Sequence, residues 1–151
     1  MTLENLLKTG QLKPHQPDAG EIRRLLDAAR RNLEDSAAAN ISPENRFDAA
    51  YKAIMQSALV ALMANGFVPD KKQPGHHATA IQSLPKAIGI GSDRIAVLDV
   101  LRHKRNLSDY TGEDIDENSV GVCRTEAKRL LSEVEAWLKK HHPDLARQGQ
   151  S

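Results

Sequence analysis

The apolar positions of this chain recur at helical spacing, and no stretch alternates apolar and polar residues as a half-buried strand would. Ile22, Leu25, Leu26, Ala29 and Leu33 lie at offsets of 3, 4, 7 and 11, which is one side of a helix. Asp18 with Glu21 resembles a capping box, so this helix is predicted to follow Asp18 and run to about Ala39. Ser42-Pro43-Glu44 offers a second N-cap with proline in the first turn. From there Phe47, Tyr51, Ile54, Met55, Ala58 and Leu62 keep the period to Asn65, where Gly66 supplies a left-handed stop. A third long stripe, from Val120 through Cys123, Ala127, Leu130 and Val134 to Leu138, predicts a helix over Asn118 to about His141.

Shorter segments fill the gaps. A helix over Leu3 to Lys8 is closed by Gly10, with a loop through Pro14 and Pro17 behind it. Val68–Gly75 reads as a loop, followed by a helix from His76 to about Ile88, in which Pro85 argues for an early end or a kink. Ser92-Asp93 is predicted to cap a helix reaching about Asp109. Single-striped helices on short connections can cover one another only as a bundle. The expected fold is all-α, an up-and-down helical bundle of about five to six helices. It forms one domain over residues 1–145, with a polar tail at 146–151.

Composition sharpens this picture in three ways. Aromatics make up only 3% of the 151 residues, so the core must be aliphatic. A net charge of +1 gives no global field toward nucleic acid or membrane, and any such contact must be local. The lone Cys123 excludes an internal disulfide and a cysteine-based metal site, and it reads as a small core residue. No run of about 18 apolar residues is present and the N-terminus lacks a leader pattern, so the expectation is a cytoplasmic protein without membrane contact.

One helix breaks its own pattern. Ile95, Leu98 and Leu101 begin a core-facing stripe, and at 100° per residue its continuation is Arg102, Arg105, Asn106 and Asp109. Unpaired charge cannot be buried there without a large cost. The face must therefore open into a cleft, pair internally through Arg105 and Asp109, or meet a second subunit. By the same geometry His103 should point away from Arg102 and Arg105.

The segment Leu98–Tyr110, with Arg105-Asn106-Leu107-Ser108-Asp109-Tyr110 at its end, resembles the signature of HEPN domains. Arg46–Ile54, Ala58–Gly66 and Gly75-His76 resemble that family's second long core helix and the loop after it. The family comprises helical bundles of toxin–antitoxin and related defence modules. The resemblance implies a homodimer, a nucleotidyltransferase-like antitoxin as partner, and RNA as ligand. Active members pair an Arg-Asn-x-x-x-His motif across two protomers and cleave RNA without a metal, which implies no cofactor here. Arginine would hold the phosphate and histidine would move a proton near neutral pH.

Arg105 and Asn106 match that motif, but Tyr110 stands where the histidine belongs. A phenol titrates near pH 10 and is a poor base at neutrality. The candidate catalytic residues are Arg105, Asn106 and Tyr110, with Tyr110 a poor base, and the Arg102–Tyr110 face is expected to bind a partner or nucleic acid before it catalyses. The alternative is an endoribonuclease whose base comes from elsewhere, with His76-His77 able to approach in three dimensions. A bundle unrelated to the family, its polar stripe a dimer seam, is the third reading. The interface set on these expectations is Arg102, Asp109, Tyr51 and His76. Gly89-Ile90-Gly91-Ser92 lacks the strand and lysine of a phosphate loop and reads as a turn.

Overall fold

Three helices start as the chain dictates, on side chains that cap free backbone amides. Thr2 Oγ1 accepts from Asn5 N at 3.1 Å, Asp18 Oδ2 from Glu21 N at 2.9 Å, and Ser42 Oγ from Asn45 N at 3.2 Å. These open α1 (Leu3–Lys8), α2 (Ala19–Asp35) and α3 (Pro43–Ala64). The computed structural model describes residues 2–147, and Gln148–Ser151 of the expected tail lie outside the described residues. After α3 come α4 (His76–Ile88), α5 (Ser92–Thr111), α6 (Glu117–His141) and α7 (Pro143–Arg147). The fold is an all-α helical bundle, with seven helices among the described residues.

Three local features differ from expectation. Leu12–Pro14 (β1) and Phe67–Pro69 (β2), read as loop, pair as an antiparallel ribbon with Leu12 opposite Pro69. The helix α2 stops at Asp35 rather than Ala39. Ser36, buried completely, donates from Oγ to Leu33 O at 2.6 Å and accepts from Arg124 Nε at 3.1 Å, so the chain turns there instead of continuing. The cap of α5 is Gly91 and not Ser92-Asp93, and no side-chain hydrogen bond closes that end. The helix α4 spans His76–Ile88 as expected; the early end that Pro85 argued for does not occur, and Gly89 turns with φ 80°. A proline in the last turn costs only the amide that would have reached Ile81.

The helix α3 is the centre of the molecule. Phe47, Ala50, Tyr51, Ala53, Ile54, Ala58, Val60, Ala61 and Leu62 are buried on nearly every side of it. It packs on α2 and α6, and to a lesser extent on α4 and α5. Each fully buried Leu or Ile contributes roughly 1.5–3 kcal/mol, so this aliphatic core needs no staple. Gly66 takes φ 91° directly after α3, the left-handed stop that its position predicts.

The helix α5 is attached more lightly. It rests on α4 and α3, and only Leu98 and Leu101 among its residues are buried. Its N-terminal end is tied to α6 through Arg94, whose Nε lies 2.8 Å from Glu126 Oε1 and whose Nη1 lies 2.8 Å from Glu133 Oε1. Burial alone would lower the Arg94 pKa, but the hydrogen bonds to the two glutamates outweigh it and raise the value. Its C-terminal end is bracketed by Lys104, which donates to Ser119 Oγ at 2.7 Å.

Candidate functional site

The polar half of α5 faces α3 and the start of α4. Arg105 lies one helical turn beyond Leu101 and reaches over α3. Its guanidinium carbon stands 5.5 Å from the centre of the Tyr51 ring, a cation–π distance. Asp109 Oδ2 approaches Arg105 Nε at 3.0 Å from one turn on, and Asp48 Oδ1 approaches the same nitrogen at 3.5 Å from α3. Asp48 also meets Lys52 Nζ at 3.4 Å. The pairing that helical spacing suggested for Arg105 and Asp109 is thus present, and a second carboxylate that spacing could not suggest joins it.

Arg102 forms its own group one turn earlier. Its Nε donates to Asp99 Oδ1 at 2.9 Å and its Nη2 lies 3.1 Å from His103 Nε2. Guanidinium can only donate, so His103 Nε2 accepts in that contact. His103 was expected to point away from Arg102. Instead its ring lies against the Arg102 guanidinium, with Nε2 also 3.5 Å from Asp99 Oδ2.

Tyr51 connects this cluster to α4. The side chain is 1% exposed, and its hydroxyl is hydrogen-bonded to His77 Nδ1 at 3.3 Å. Burial holds the phenol proton and moves its pKa up to about 12, with Arg105 and Arg102 pulling the other way. Burial likewise lowers the His77 pKa, helped by the positive charge of its neighbours His76, Arg105 and Arg102. His77 is therefore neutral near pH 7. With the proton on Nδ1 it donates to the Tyr51 hydroxyl and leaves the Nε2 lone pair available.

The remaining expected residues are placed as follows. Asn106 is half-buried on the same helix as Arg105. Tyr110 stands 85% exposed, and 100° per residue sets it well around the helix from Arg105. His76 packs edge-to-face on His77 with ring centres 4.7 Å apart, outside the Tyr51–Arg105 contact. The group that the fold assembles is therefore Arg102, Arg105, Asp109, Asp48, Tyr51 and His77. Of these, Asp48 escaped the sequence reading, and His77 appeared there only as half of a histidine pair.

The side of α5 turned away from the bundle exposes several apolar residues beside the exposed His103. Val100 is 58% and Leu107 47% exposed, and Val97 and Tyr110 extend the strip along the helix. The single Arg102–Tyr110 face of the sequence thus resolves into an inner polar cluster and an outer apolar strip.

Among the described residues, no group of three or more His, Cys, Asp or Glu side chains is gathered as a metal site requires. Cys123 is buried, donates weakly to Phe47 O at 3.8 Å, and has its pKa raised by burial to about 12, so it is a core residue rather than a nucleophile. No helix among the described residues is long and apolar enough to cross a membrane. Comparison with protein-family models, with curated proteins and with solved structures gives no match to this chain.

Proposed function

We propose that the chain is a HEPN-like, homodimeric component of a toxin–antitoxin or related module that binds RNA through the Arg102–Asp109 side of α5. The observation that carries this reading is the division of α5 into two faces. Val97, Val100, Leu107 and Tyr110 form an uncovered strip that a second copy would bury against itself under two-fold symmetry. Arg102 and Arg105 lie on the adjacent face, held by carboxylates that a phosphate can displace or share. A nucleotidyltransferase-like antitoxin is the partner protein this reading implies.

A second reading, an endoribonuclease, is favoured by one specific contact. His77, 26 positions from Tyr51, is hydrogen-bonded to it, and Arg105 lies over the same ring, which supports an imidazole near the arginine as substitute for the absent motif histidine. In that chemistry His77 Nε2 takes the proton of an RNA 2′-hydroxyl, whose oxygen attacks the adjacent phosphorus. Arg105 stabilises the charge on the phosphoryl oxygens. The 5′-oxygen leaves, taking a proton from water, and a 2′,3′-cyclic phosphate remains.

One assay on single-stranded RNA separates these. Fluorescence anisotropy should show salt-dependent binding of intact RNA, weakened about tenfold by Arg105→Ala through loss of a phosphate contact. Cleavage that disappears in both Arg105→Ala and His77→Ala would put the nuclease first. Absence of binding and cleavage alike would remove RNA from the function.

A further inference from the structure

We infer that a groove bounded by the start of α4, by β1 and β2 and by the second half of α3 docks an acidic amphipathic peptide segment of a partner protein. The groove encloses about 560 Å³, within the range of about 300–1,000 Å³ found for ligand sites. Its floor is aliphatic and adaptable: Met55, Leu59 and Met63 project from successive turns of α3, joined by Val68. Methionine floors re-pack around apolar side chains of differing shape.

The rim of the groove is basic. Lys13, Lys71, Lys72 and His76 stand along it, and Asp70 is the sole carboxylate among the residues lining the groove. That carboxylate is already occupied, by Lys13 Nζ at 3.9 Å and by the Lys72 backbone amide at 3.0 Å. Lys71 and Lys72 are exposed, and no ion pair among the described residues engages their ammonium groups. On a chain of net charge +1, this is a local positive excess around an apolar slot.

Nucleic acid fits this slot less well. Single strands bind by stacking bases on aromatic faces. The rings here, His76 and His77, sit at 83° to each other and offer no parallel platform. A peptide that presents Leu or Ile on one face and Glu or Asp on the other matches both floor and rim, in the manner of a helix laid in a groove. The groove adjoins the α5 cluster through His77, but neither Arg102 nor Arg105 lines it.

The test uses the full chain and three fluorescein-labelled probes: a helix-forming Leu/Glu peptide, the same peptide with Lys for Glu, and an oligo(U) of equal length. The Leu/Glu peptide should bind saturably, and the Lys version should not. The double variant Lys71→Glu/Lys72→Glu, on exposed positions that leave the core untouched, should weaken binding by at least about tenfold. Arg105→Ala should leave it unchanged. With methyl-labelled methionine, the Met55 and Met63 signals should shift on peptide addition. Failure of the acidic peptide to bind, equal binding by the double variant, or competition for the groove by oligo(U) would each overturn the inference.

Discussion

Tyr51 is a core side chain with a polar end, and its burial has a measurable cost at high pH. The free phenol titrates near 10, whereas in the folded chain its pKa stands at about 12. The folded state therefore keeps a proton that the unfolded state has released. Stability is intact below pH 10 and declines as pH rises through 10 toward 12. Tyr51→Phe should flatten this decline, seen as urea midpoints that differ less between pH 9 and 11 than in the parent chain. A residual slope should persist, because Cys123 is shifted in the same direction. At neutral pH the same variant should lose on the order of 1 kcal/mol with the His77 hydrogen bond. Identical pH dependence in variant and parent would refute the assignment. At this scale the sequence discloses what lies on one helix. Arg102, Arg105 and Asp109 are legible from the 100° repeat. It does not disclose Asp48, 57 positions from Arg105, nor the choice of His77 over His76, since both depend on how α3, α4 and α5 pack.

The helices that carry long stripes are also the ones whose start the sequence conveys. Asp18 and Ser42 begin α2 and α3, and the Val120–Leu138 stripe is α6 to within a residue at its start. The elements that escaped are those without a stripe. The strands β1 and β2 have three residues each and end in Pro14 and Pro69, so neither offers an alternation to read. The helix α7 is a five-residue turn docked by Leu145 after Pro143. The light attachment of α5 leads to a prediction about that element. With Leu98 and Leu101 as its only buried residues, Leu98→Ala should cost about 2–5 kcal/mol. It should also raise amide exchange in α5 before it does so in α3 or α6, as expected for the least-anchored helix. Uniform acceleration across all helices would show that α5 does not open by itself.

For the whole molecule, the outer strip of α5 is the decisive surface. An uncovered row of Val100, Leu107 and Tyr110 on a 20-residue helix predicts self-association. Val100→Glu should convert the proposed dimer to a monomer in light scattering, with the proposed RNA binding weakened and the far-UV spectrum retained. A monomeric parent chain would remove the homodimer from the proposal. The centrality of α3 bears on how such a chain is made. Its largest partners are α2, which precedes it, and α6, the third helix after it. A nascent chain that has only reached the end of α5 carries an apolar α3 with one flank bare until 25 further residues of α6 emerge. Ribosome-bound intermediates of that length should therefore be ready clients for chaperones that recognise aliphatic surface, and premature termination after α5 should yield aggregates rather than a smaller folded domain.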